Sequence, residues 1–152
     1  MSFTKSSVRR GFLELMKLLL IASLAVGLAA QTSKVPASIQ AAFTKQFPNA
    51  KIKKVAKEKR DGKVVYEVES TDAGQNRDII YSATGDVIEI EEGIALTALP
   101  APVSAAVKAQ FPKATITSAE KLTVGTVISY EVVLTGAAKN ELILTPEGKP
   151  VK

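Results

Sequence analysis

The feature that most constrains this chain is an internal repeat. Shifting the sequence by 64 residues aligns 36–69 with 100–133 without a gap, and 13 of those 34 positions are identical. The shared blocks include Pro36-Ala37, Gln46-Phe47-Pro48 and Tyr66-Glu67-Val68, each answered in the same order 64 residues later. After a one-residue deletion the likeness resumes: Asp78-Ile79-Ile80-Tyr81 answers Glu141-Leu142-Ile143-Leu144, and Gly85 answers Gly148. A period of this length is that of a supersecondary unit, so one local fold must be built twice.

Each copy opens on a short helix. Pro36 and Pro100 suit a first helical turn, where a missing N–H leaves no bond unmade. Ile39, Ala42, Phe43 and Phe47 recur at helical spacing, as do Val103, Ala106, Val107 and Phe111, which predicts a core-facing stripe. Pro48 and Pro112 end both helices. Strand patterns follow at Lys51–Lys59, Val64–Glu69, Ile79–Ser82 and Val87–Glu91 in the first copy. The second copy gives Ala114–Leu122, Val127–Thr135, Glu141–Thr145 and a truncated fourth strand at Pro150-Val151. Asp61-Gly62 is a hairpin signal, Gln75-Asn76 reads as loop, and Gly93–Leu99 reads as a short linker. Hairpin-length connections imply antiparallel pairing. The expected fold is therefore α+β: two tandem α-β-β-β-β repeats, 35–98 and 99–152, with both helices packed on one face of an antiparallel sheet.

The segment ahead of the repeats reads as a leader. Residues 18–30 form a run of about 13 apolar residues, too short to span a bilayer but right for a signal-peptide core. Gly27 and Ala29 give a small-x-small cleavage pattern, so 1–29 is expected to be removed, leaving no stable membrane span. Met16-Lys17 and the apolar run already make a complete Sec-type leader, so Met16 is a second candidate for the true start. Val8-Arg9-Arg10-Gly11-Phe12-Leu13 resembles a twin-arginine signal. That route usually carries prefolded cofactor proteins, and nothing here looks cofactor-bound, so Sec export is favoured. Either route implies a periplasmic or secreted protein.

Charge and composition narrow the function. The formal net charge is +5, but Lys5, Arg9, Arg10 and Lys17 against Glu14 belong to the leader. Taking these from 20 basic and 15 acidic residues leaves 16 and 14, a net of +2, which implies no nucleic-acid partner. The chain has no Cys and no His, so disulfides, thiolate metal sites, Cys nucleophiles and His-based triads are excluded. Glu89, Glu91 and Glu92 form an acidic cluster that could serve acid–base work or calcium. It lacks the Asp-rich calcium-loop pattern, and a solvated strand face is the expected reading. The basic run Lys51, Lys53, Lys54, Lys57, Lys59, Arg60 and Lys63 carries no interleaved aromatics for base stacking. It is expected to be a charged strand facing Glu67 and Glu69, guarding a sheet edge. No catalytic, metal or cofactor residue is assigned.

The helix ending in Phe-Pro, then Gly62-Lys63-Val64-Val65-Tyr66-Glu67-Val68-Glu69, then Tyr81-Ser82-Ala83-Thr84-Gly85-Asp86-Val87, resembles the PepSY-like family. More narrowly, it resembles the tandem secreted proteins described as beta-lactamase-inhibitor-like. The resemblance covers about residues 35–152. The second copy departs from it, with Gly125-Thr126 in place of Asp61-Gly62 and Pro146-Glu147-Gly148 in place of the Ala-Thr-Gly turn. The resemblance implies extracytoplasmic location, no catalysis, and binding or inhibition of another protein. Fold does not fix function, so beta-lactamase is not assigned as the target.

The leading expectation is an exported, non-enzymatic binding module whose partner is another extracytoplasmic protein. The alternative is an envelope structural or stress-associated protein without one tight partner. Helices on one face would leave the other face open across both copies. Alternation then points to Lys53, Glu67, Glu69, Glu131 and Val133 as the candidate protein-binding face. Lys54 shares the parity of Ile52, which a β-bulge would resolve.

Overall fold

A computed structural model of the chain describes residues 34–151; the leader and the question of its start lie outside them. Helix α1 (Ala37–Gln46) leads into β1 (Lys51–Arg60), β2 (Lys63–Asp72), β3 (Gln75–Ser82) and β4 (Val87–Ile94). A 3-10 turn at Leu96–Ala98 leads into α2 (Ala101–Gln110), β5 (Thr115–Val124), β6 (Val127–Thr135) and β7 (Glu141–Leu144). The strands make one seven-stranded antiparallel sheet whose spatial order is the chain order. The chain is thus α+β. Its halves join where Ile90–Ile94 of β4 pair with Ala119–Thr123 of β5.

The sequence repeat survives as a repeat of backbone detail. In β1 the register slips between Ile52 and Lys54, and in β5 it slips between Ile116 and Ser118, 64 residues on. The extra residue is Lys53 in one strand and Thr117 in the other. The bulge lets Ile52 and Val55 pack in one cluster, and likewise Ile116 and Ala119, although neither pair has strand parity. The turns after β3 and β7 also match: Gly85 N–H donates to Ser82 O at 3.0 Å, and Gly148 N–H to Thr145 O at 2.8 Å. Both glycines have left-handed φ, 94° and 77°. A Cβ on Gly85 would lie 3.1 Å from Ser38 O, and one on Gly148 2.4 Å from Pro102 O, the equivalent helix carbonyl. Only glycine lets this turn approach the helix so closely.

Each helix covers its own half. Ile39 and Phe43 of α1 are buried with Val55, Val68, Ile79 and Tyr81, and Phe47, Tyr66 and Ile90 pack at the margin. Val103 and Val107 of α2 are buried with Ala119, Val132, Leu134, Leu142 and Leu144. Fully burying such side chains is worth about 1.5–3 kcal/mol each. The halves are also tied by charge. Arg77 of β3 binds Glu92 of β4 at 3.0 Å, and Lys121 of β5 binds the same carboxylate at 3.1 Å. The Arg77 guanidinium lies 4.4 Å from the centroid of the Phe47 ring, a cation–π contact.

Several expectations need correction. Pro36 and Pro100 are N-caps, immediately before their helices. Phe47 and Phe111 are C-caps and only partly buried, so the centre of the stripe is Ile39 with Phe43 and Val103 with Val107. Gln75-Asn76 opens β3 instead of lying in a loop, because the turn is made earlier by Ala73 and Gly74, both with positive φ. Gly93 and Ile94 belong to β4 and pair with β5, so the linker is shorter than expected and the sheet passes through it unbroken. The last expected strand is a single bridge from Pro150 to Leu144, as proline's missing N–H limits pairing.

Candidate functional site: a carboxylate-lined sheet face

Cross-strand partners stand on the same face of a sheet, so the register defines which side chains are neighbours. One ladder runs Glu69–Asp78–Glu91–Leu122–Ser129 from β2 to β6. Two residues along, Glu67 pairs with Ile80 and Ile80 with Glu89. Glu120 pairs with Glu131, and Glu131 with Ile143. Period-two alternation therefore gathers carboxylates from five adjacent strands onto one face. Its basic residues are at the β1 margin. There Lys54 Nζ donates to Glu69 Oε1 at 2.6 Å, and Arg60 Nε donates to Glu58 Oε2 at 3.2 Å.

Glu89 is the unusual member. Its relative exposure is 0%, and neither carboxylate oxygen has a hydrogen-bond partner among the described residues. The one ion pair it makes among the described residues is a long one, 3.9 Å to Arg60 Nη1. Burial pushes its pKa up to about 7, against the lowering pull of Arg60. Glu91 is pushed up to about 8, by burial first and then by the like charges of Glu89, Glu120 and Glu131. Glu131 rises to about 7 through burial and then Glu141 and Glu120. Glu67 rises to about 7 through burial and the neighbouring Glu58. Asp78 and Glu120 are raised as well, again chiefly by burial. These side chains are held close together on a half-dry surface with too few cations, which favours the neutral acid.

Of the residues singled out from the sequence, Glu67 and Glu69 on β2 and Glu131 and Val133 on β6 share this face. Lys53 is the exposed bulge residue, and its Nζ donates to Asn76 Oδ1 at 2.8 Å, near the β2–β3 turn. Glu89 and Glu91 were expected on a solvated strand face. Glu89 is buried instead, and Glu92 turns away to Arg77 and Lys121. The centre of the face was therefore missed. The available signal was two same-parity glutamates, Glu89 and Glu91, alternating with Ile88 and Ile90 in a strand with partners on both sides. Among the described residues, no group of three or more acidic side chains is arranged to hold a metal ion.

A family model described as "putative beta-lactamase-inhibitor-like, PepSY-like" matches the chain twice, at residues 27–89 and 65–151. No curated protein matches. Among solved structures, a protein described as a "putative periplasmic" protein from Bacteroides eggerthii is similar with a TM-score of 0.66 and 17% identity, over 79% of this chain and 88% of the other. A DUF2874 family protein from Bacteroides uniformis gives 0.65 and 17%, over 78% and 88%. A BLIP-like protein from Bacteroides fragilis gives 0.62 and 19%, over 80% and 87%. At these identities the likeness is one of fold.

Proposed function

Because this chain belongs to the beta-lactamase-inhibitor-like, PepSY-like family, we propose that it is an exported, non-catalytic module that binds another extracytoplasmic protein through the face carrying Glu67, Glu69, Glu131 and Val133. One observation carries the reading: the carboxylate face runs unbroken across the β4–β5 seam, so both halves present a single surface. Both helices are assigned to the opposite face. The support is the register: Val68, Ile79 and Ile90, which cluster with α1, pair in series, as do Ile94, Ala119, Val132 and Leu142, which cluster with α2. Ile90 and Ile94 have the same parity on β4, which puts the two series on one side. The matched bulges and glycine turns support a division into repeats at 35–98 and 99–152. An extracytoplasmic site is supported by the similar protein described as periplasmic. Among the described residues, no helix is long and apolar enough to cross a membrane.

The test is charge reversal at Glu67 and Glu131 together. Protein carrying Glu67→Lys and Glu131→Lys is expected to stay folded and to lose the partner that the unmodified protein retains from envelope extract. Equal retention by the folded double variant would exclude the sheet face.

A further inference from the structure

The carboxylate face has a stated chemistry, and its charge runs against that of the chain, which is net positive. Among the described residues, no cation lies within ion-pair distance of Glu91, Glu120 or Glu131, whereas Lys54 and Arg60 at the β1 margin are engaged by Glu69, Glu58 and Glu89. At the centre sits a fully buried carboxylate, Glu89, with both oxygens lacking a hydrogen-bond donor among the described residues. Its strand parity with Glu91 and its repulsion of both Glu91 and Glu131 show that it is directed into the cluster. A buried acceptor without a donor is costly, and a compensating cation relieves the cost.

We propose that this face receives a lysine- or arginine-rich polypeptide segment. The proposal rests on the sheet face being the contact surface and gives its partner a chemistry. Spacing favours a polypeptide over a single ion. Glu89 and Glu91 lie two residues apart along β4, about 7 Å, and the face extends over five strands. Among the described residues, no three acidic groups converge as metal ligands would. An extended segment with a cation at every second residue has the same repeat of about 7 Å. Ammonium and guanidinium groups supply the donors that Glu89 lacks.

The proposal carries a pH dependence. Glu91 faces Asp78, Glu89, Glu120 and Glu131, and Glu89 faces Arg60; Glu131 faces Glu141 and Glu120. As pH rises from about 6 to about 8.5 these acids ionise, and affinity for a cationic segment rises with them.

The experiment uses the full chain and a fluorescein-labelled decapeptide alternating lysine and serine, with the glutamate–serine decapeptide as sign control. Anisotropy titrations at low salt should show binding of the lysine peptide only, tighter at the higher pH and weaker with added salt. The Glu91→Gln/Glu131→Gln variant should bind about tenfold or more weakly, and Glu120→Gln provides a second, milder loss. Glu147→Gln, in the turn after β7, should bind like the unmodified chain. Equal binding of the glutamate peptide, or full affinity in the folded Glu91/Glu131 variant, would overturn the proposal. So would displacement of the peptide by calcium but not by a sodium salt of equal ionic strength, which would make the face a divalent-cation site. Failure of the lysine peptide, together with loss of the natural partner in the Glu67/Glu131 reversal, would remove the cationic chemistry and leave the binding face standing.

Discussion

The two halves are the same backbone filled differently. In the first, α1 places Phe43 on the sheet, with Phe47 beside it at a centroid distance of 5.6 Å and Tyr81 beneath. In the second, the equivalent positions are Val107 and Leu144, and the core is aliphatic apart from Phe111 and Tyr130 at its margin. What recurs without change is backbone: the bulge after Ile52 and Ile116, and the glycine turn against the helix carbonyl. Side-chain shape can be exchanged wherever the volume is refilled. A left-handed turn in which any Cβ would press on a helix carbonyl has one solution.

The comparison can be broken most forcefully at the core. Phe43→Ala should destabilise the chain by about 3–5 kcal/mol, while Val107→Ala removes fewer atoms and should cost about half as much in urea unfolding. Equal losses would mean that the two helices are docked by something other than these residues. Next come the glycines. Alanine at either turn meets left-handed backbone strain of about 1–3 kcal/mol, and Gly148→Ala should exceed Gly85→Ala, because its Cβ would fall 2.4 Å rather than 3.1 Å from backbone oxygen. A reversed order in thermal melts would show that α2 yields more easily than α1.

The acidic face gives a third contrast. The folded pKa of Glu89, about 7, stands above its ordinary 4.5, so the folded chain holds a proton that the unfolded chain releases. That contribution is fully present below pH 4.5 and is lost as pH rises through 7. Between about pH 5 and pH 8 it amounts to about 2–3 kcal/mol. Glu89→Gln should flatten the pH profile of the urea midpoint by that order. Glu131→Gln should flatten it less, because Glu131 is only half-buried and better screened. An unchanged profile in Glu89→Gln would place the titration elsewhere. The smallest effect is expected at Lys54–Glu69, an exposed pair at the β1 margin. Its removal by Lys54→Ala should change stability by under about 1 kcal/mol, against the second half, where Ser118 and Val133 stand in the same register without charge.

Much of this architecture is written in local sequence. The helices, their ends at Phe-Pro, the Asp61-Gly62 hairpin and the antiparallel order all follow from periodicity and turn chemistry. The parity clash of Ile52 with Lys54 even signals the bulge. What escaped was non-local. Gln75 and Asn76 are polar, but in strand they complete ladder bonds to Thr71 and Asp72 that composition does not reveal. The burial of Glu89 depends on the side chains of neighbouring strands, brought there only once β4 is flanked on both sides. A single strand read alone shows alternation of Ile with Glu and suggests a wet face. Glu67, Glu69 and Glu131 were legible because alternation within β2 and β6 suffices to group them. Glu89, at the centre of the face, was not.

The identity of spatial order and chain order also bears on how the molecule assembles. Every strand pairs with the one just before it, across connections of a few residues except where α2 intervenes. Closing such short loops forfeits little chain entropy, and local topology of this kind speeds folding relative to Greek-key sheets of similar size. The first helix and β1–β4 hold a complete core of their own before β5 has to be recruited. The edge of β4 is then a ready-made template on which the second half can pair, strand by strand.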